Sequence, residues 1–251
     1  MTGNAAFHAF LLGWIALAPV IALVLMRIAA PYGRHGGGRV GPRMPARPGW
    51  FLMELPALLV FPAWAAWAGR FDSPLLYLLL GMWVLHYGNR ALLYPLRLRG
   101  GSPMPLVILA SGVFFNLVNG SVLGLGLTVF DPLPAGQGRF DPWTVLGGLL
   151  FLAGFALNLH SDAVLRALRR EGPGYRVPTR GAYRWVSCPN YLGEIVEWTG
   201  FAIATWSLPG LAFAVWTAAN LLPRALTHHR WYRSTFRDYP AARKALVPFV
   251  L

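Results

Sequence analysis

The sequence predicts an all-α integral membrane protein, a bundle of seven transmembrane helices, and three observations predict it. Hydrophobic residues make up 56% of the 251 positions, while charged residues make up only 12%, against about 25% in an average soluble domain. Apolar runs recur along the whole chain at lengths near the roughly 20 residues that a bilayer core requires. The basic residues fall almost entirely in the segments on one side of those runs, which is the pattern of membrane topology rather than of nucleic-acid binding.

The first run, Ala6 to Met26, is too long for a signal-peptide core and no basic residue precedes it, so it is read as a retained helix. A loop rich in Gly, Pro and Arg follows, from Arg27 to Trp50. Further spans are expected over Phe51 to Ala68, Pro74 to Tyr94, Pro105 to Phe130 and Trp143 to Leu165. A basic loop containing Gly and Pro reaches Pro189; the last spans are Tyr191 to Trp206 and Leu208 to about Trp231. Pro240 and Pro248 limit helix in the tail.

Seven spans put the termini on opposite sides. The segments after spans one, three and five, with the C-terminal end, hold 20 of the 22 Lys and Arg; only Arg70 and Arg139 lie on the other side. The asymmetry places the N-terminus outside and the C-terminus in the cytoplasm. It also explains the net charge of +13 without nucleic acid as a partner. The single cysteine, Cys188, forms no internal disulfide and belongs to no metal-ligand spacing, so no metal is expected. Lys244 is the only lysine, and with the abundant Ala and Gly this points by association to a GC-rich bacterial genome. The expected location is therefore a bacterial inner membrane, or the endoplasmic reticulum in a eukaryote. No internal repeat is visible, which speaks against a transporter, and the protein is expected to work as a monomer.

Of the nine acidic residues, Glu54, Asp162, Glu194 and Glu197 lie in or at the ends of apolar spans. An ionisable group there costs several kcal/mol unless it meets a cavity or a partner, so each is a candidate functional residue. Glu54 lies near the cytoplasmic start of span two, where apolar surroundings favour a protonated, hydrogen-bond-donating carboxyl. His86 and Tyr87 lie in span three with Arg90 one turn on. Asn158, Asp162 and Arg166 recur at four-residue spacing, forming one polar stripe that Arg169 continues. Asn190, Glu194, Glu197 and Trp198 open span six. Arg224, His228 and Tyr232 form a similar stripe at the end of span seven. The loop Tyr175-Arg176-Val177-Pro178 with Arg180-Gly181 suits either a pyrophosphate or an anionic bilayer surface. All these groups lie at the cytoplasmic end, which describes a polar pocket open to the cytoplasm. No GxGxxG follows a strand and no P-loop occurs, so a bound dinucleotide is not held by a Rossmann domain.

Asn158-Leu159-His160-Ser161-Asp162, Tyr175 to Pro178, Asn190 to Trp198, Ala202 to Pro209, and the ending from Arg237-Asp238-Tyr239-Pro240 through Arg243 to Phe249 resemble the membrane steroid 5α-reductases. Glu54-Leu55-Pro56 and His86-Tyr87 extend the resemblance to nearly the whole chain. It implies a single membrane domain, 1–251, with residues 1–100 on the substrate side and 101–251 binding the cofactor, NADPH. It implies a lipophilic 3-oxo-Δ4-steroid as substrate, with Glu54 and Tyr87 as the catalytic pair that hydrogen-bonds the 3-keto oxygen. Hydride then goes to C5 and a proton to C4. Two preorganised donors would stabilise the charge that develops on that oxygen. The resemblance assigns Asn158, Asp162, Arg169, Tyr175, Arg176, Asn190, Glu194, Trp198, Arg224, His228 and Tyr232 to the cofactor, and Tyr32 and Trp50 to the substrate side. Met53 departs from the family pattern, in which animal members have Gln before the catalytic Glu.

The Asn-Tyr-Leu-Gly-Glu segment is also similar to sterol and long-chain enoyl reductases and, more distantly, to isoprenylcysteine methyltransferases. The N-terminal match through Glu54 and Tyr87 favours the steroid reductases.

Overall fold

The computed structural model describes residues 2–28, 41–98, 102–133, 141–172 and 174–251. Helix α1 spans Thr2–Arg27, α2 Ala46–Trp67 and α3 Pro74–Tyr87. The α3 rod continues through a π-helical stretch, Gly88–Leu93, into the short α4, Tyr94–Arg97. Helix α5 covers Leu106–Leu125 and ends in a second π-helical stretch, Gly126–Phe130. Helices α6 (Pro142–Arg170), α7 (Pro189–Thr205) and α8 (Leu208–Thr235) follow, with a 3-10 turn at Gly181–Arg184 before α7. The two-residue strands β1 (Arg43–Met44) and β2 (Met104–Pro105) pair antiparallel.

Side-chain caps start three of the helices. Ser73, Asp141 and Ser207 each accept a backbone N–H of the first turn, and each is followed by proline in that turn, where its missing donor costs nothing. The Asp141 cap holds its carboxyl below the usual carboxylate range, through the Thr144 backbone N–H. Helix α2 starts at Ala46 rather than at Phe51. Pro48 lies in its first turn, where proline is tolerated, and Arg47 is satisfied by the Leu98 carbonyl at 2.7 and 2.9 Å. At the far end, α6 and α8 continue past the expected Leu165 and Trp231 to Arg170 and Thr235, because a helix can project into water beyond its apolar stretch.

Among the described residues, four helical segments, Gly3–Arg27, Ala46–Trp67, Leu106–Phe130 and Pro142–Arg170, are long and apolar enough to cross a membrane. Large apolar side chains such as Leu12, Leu23, Leu59, Phe114 and Leu149 face outward, as a lipid solvent permits. Contacts sort the helix ends. His8 meets Asp131 at 2.8 Å, and Arg70 donates to the Leu133 carbonyl at 2.8 Å. These join the start of α1 to the ends of α2 and α5. Arg47 and Leu98 join the start of α2 to the end of α4.

The core is aromatic. Trp83, Trp198, Phe151, Phe201 and Phe213 pack together with Phe61 nearby. Helix α1 leans on α8 through Trp14 and Trp216, whose rings lie 4.5 Å apart. Helix α5, though it follows residue 100, packs on α2.

Candidate active site

Helices α6 and α7 approach backbone to backbone. Gly154 faces Gly193, and Gly147 faces Gly200. A Cβ on Gly193 would lie 2.6 Å from the Asn158 nitrogen, and one on Gly154 would overlap the Glu197 nitrogen and the Gly193 carbonyl. Only glycine permits this approach, as in close membrane helix pairs generally. The consequence is chemical. One turn beyond Gly154, Asn158 donates to the Asn190 carbonyl at 3.0 Å and reaches Glu194 Oε2 at 3.4 Å. Asn190 in turn donates to Asp162 Oδ1 at 3.3 Å. The two polar stripes read from the sequence therefore interlock, with Asn158 and Asp162 buried.

Arg90 reaches into this cluster from the π-helical stretch. Its guanidinium lies 3.9 Å from Glu54, 3.9 Å from Asp162 and 3.7 Å from Glu194, so one cation serves carboxylates from three other helices. Its face packs over the rings of Trp50 and Tyr94, at 5.3 and 5.0 Å. A π-helical turn widens the helix and rotates the residues that follow it, and such turns concentrate at functional sites. Trp50 thus lies against Arg90 beside this cluster.

Glu54 is buried on α2 and accepts from Asn116 of α5. Tyr87, the last residue of α3, is buried, its ring against Trp83, His86 and Trp198. Beneath it, His86 and Glu197 share a hydrogen bond of 2.8 Å, at 4% and 0% exposure. The second oxygen of Glu197, Oε2, is buried without a hydrogen-bond partner. An orphaned buried acceptor is rare and costly in a native fold.

The remaining candidates lie around this centre. On α8, Arg224 is half-buried, His228 meets the Tyr191 hydroxyl at 3.1 Å, and Tyr232 is buried and stacked on Tyr239. Tyr175 is half-exposed with its ring against Trp231. Arg176 is paired to Glu171 at 3.0 Å, and Arg169 is exposed at the end of α6. These three form a rim rather than part of the buried network. Tyr32 lies outside the described residues. The tail is clasped at the same end: Ser187 Oγ contacts His229 Nδ1, Tyr239 OH and the Lys244 carbonyl, and Arg243 donates to the Pro178 carbonyl.

Sequence reasoning missed the central position of Arg90, the pairing of His86 with Glu197, and Asn116 altogether. The acids in apolar spans were a signal for Glu197. An asparagine amid an apolar run was an equally visible signal for Asn116.

Comparison with known proteins is consistent along the chain. The family model for 3-oxo-5-alpha-steroid 4-dehydrogenase matches residues 102–251. A 3-oxo-5-alpha-steroid 4-dehydrogenase 1 of Rattus norvegicus is 41% identical over 96% of this chain and 93% of its own length. A 3-oxo-5-alpha-steroid 4-dehydrogenase 2 of Homo sapiens is 42% identical over 96% of each. A steroid 5-alpha-reductase of Gossypium hirsutum is 38% identical over 97% of each. With the family model covering more than half of the chain and relatives of this similarity covering nearly all of it, the chain belongs to the 3-oxo-5-alpha-steroid 4-dehydrogenase, or steroid 5α-reductase, family.

Proposed function

We propose that this protein reduces the Δ4 double bond of 3-oxo-Δ4-steroids with NADPH, as a seven-span membrane enzyme whose site opens to the cytoplasm. The observation that carries the reading is the convergence at one end of the bundle. Glu54 of α2, Arg90 of the α3 rod, Asn158 and Asp162 of α6, and Asn190 and Glu194 of α7 come together there, with Tyr87 of α3 packed beside them against Trp198 of α7. Family membership supports the reaction class, and the relatives are named for it.

The residues fit a nicotinamide dinucleotide. Asn158, Asn190, Glu194 and the partnerless Oε2 of Glu197 offer the donors and acceptors that ribose hydroxyls and a carboxamide require. Arg166, Arg169 and Arg176 on the cytoplasmic rim suit phosphates. Bound NADPH supplies the hydride. Glu54, as the protonated acid, and Tyr87 donate hydrogen bonds to the 3-keto oxygen and stabilise its growing negative charge as C5 accepts the hydride. The resulting enolate takes up one proton at C4 from solvent reaching the cytoplasmic mouth of the site, so that one hydride and one proton add across the double bond. The apolar walls around the pair exclude water, which strengthens both hydrogen bonds. The seven-span count, the outside N-terminus and the cytoplasmic C-terminus follow from the charge asymmetry of the segments between spans.

The test is NADPH-dependent conversion of testosterone or progesterone by the detergent-purified protein, beside Glu54→Gln and Tyr87→Phe. The reading expects the 5α-dihydro product from the parent and a loss of at least about 100-fold in kcat in either variant. Retained NADPH binding without conversion would redirect the assignment to another enone. Absence of NADPH binding would overturn the cofactor.

A further inference from the structure

Asn116 belongs to α5, and sequence reading gave it no part in the chemistry. It is 5% exposed. Its Nδ2 donates to the Met53 carbonyl at 2.7 Å and to Glu54 Oε2 at 3.3 Å. An amide nitrogen carries two hydrogens, so both are assigned by these contacts. A backbone carbonyl only accepts, which fixes the amide's orientation independently of Glu54: the nitrogen, and not the oxygen, must face α2.

Three features of the local fold bring this about. Pro56 cannot donate to the Leu52 carbonyl and loosens the turn of α2 that carries Met53 and Glu54. One turn before Asn116, Gly112 leaves a notch that the Met53 side chain fills. One turn on from Met53, the Ala57 carbonyl is taken by Trp83 Nε1 at 2.7 Å. Carbonyls four residues apart on α2 are thus pinned from α5 and from α3, with Glu54 between them.

We propose that Asn116 is a positioning residue for Glu54, one that selects which carboxyl oxygen acts as the acid. The inference rests on the role of Glu54 given above. An N–H donor held against Oε2 favours that oxygen as the C=O acceptor of the acid form. The proton is then carried by Oε1. Arg90 Nε, at 3.9 Å from that oxygen, lies beyond hydrogen-bond reach and does not engage it as an acceptor, whereas Oε2 is already accepting from Asn116. Oε1 is the atom offered to the substrate's carbonyl oxygen. Without Asn116 the carboxyl rotates freely about its last bond and presents the wrong oxygen for part of the time.

Four enzymes test this: the parent, Asn116→Leu, Glu54→Gln and the double variant. Leucine matches asparagine in size and lacks the donor. Expected is a fall in kcat of about tenfold in Asn116→Leu, the value of one well-placed hydrogen bond, with the KM for NADPH unchanged. In the Glu54→Gln background the same substitution is expected to cost nothing further, because its effect passes through the carboxyl. Full kcat in Asn116→Leu beside an inactive Glu54→Gln overturns the inference alone. An equal loss in both backgrounds overturns it as well, since that is how a purely structural asparagine behaves. Full kcat in Glu54→Gln overturns the reading beneath it. Should Asn116→Leu fold poorly, Asn116→Ala, which removes the amide donors without adding bulk or charge, takes its place under the same criteria.

Discussion

Two helix pairs meet at the site, and both use glycine, but in opposite ways. In the α6–α7 pair glycine faces glycine. Gly147, Gly154, Gly193 and Gly200 let the two backbones touch, and the atoms that an added Cβ would strike are backbone nitrogens and carbonyls. In the α2–α5 pair glycine faces a large side chain. Gly112, Gly120 and Gly124 are notches for Met53, Val60 and Trp64. Backbone cannot step aside, whereas a side chain can turn, be shortened or be exchanged. The first pair therefore holds Asn158, Asp162, Asn190 and Glu194 in one register. The second leaves the wall beside Glu54 adjustable by single substitutions.

The largest expected effect breaks the rigid pair. Gly154→Ala requires α6 and α7 to separate, at a cost of about 3 kcal/mol or more. Thermal melting in detergent is expected to show little or no cooperative transition, and no truncation of a neighbouring side chain should restore it. Next is the pair beneath Tyr87. His86→Ala leaves Glu197 buried without its partner and costs about 3 kcal/mol. Adding Glu197→Leu to it should recover stability and not activity, which melting and turnover measured on the same preparation will separate. Gly112→Ala then sharpens the contrast. It costs about 1–2 kcal/mol by displacing Met53. Unlike Gly154→Ala, it should be relieved by shortening the side chain opposite, Met53→Ala, with the main change in the steroid KM. The smallest effect is expected away from both pairs. Ser207→Ala removes the cap that accepts from the Gly210 N–H at 3.1 Å, for about 0.5–1 kcal/mol and no change in kcat.

Much of the site was legible in the sequence because a charge inside an apolar run needs a reason. Glu54, Asp162 and Glu194 stood out on that ground. The four-residue spacing of Asn158 and Asp162 placed them on one face, where the structure has them. The rim was less legible. Arg176 reads as a phosphate ligand in the sequence, and in the structure it also pairs with Glu171, five residues away, a contact no periodicity announces. Arg90 was visible as a cation but not as a centre, because the π-helical stretch that aims it has no simple residue pattern.

By itself the sequence determined the membrane class, the polar end of the bundle, the direction of its charge asymmetry and the residue types of the site. These follow from composition and periodicity, which the solvent imposes on each segment separately. Only the tertiary structure decided the partners: that Arg90 serves Glu54, Asp162 and Glu194, that His86 holds Glu197, and that Asn116 reaches Glu54 across 62 positions of sequence. Partners of that kind depend on which glycine faces which helix and at what distance. That is a property of two packed surfaces together, which neither segment carries alone.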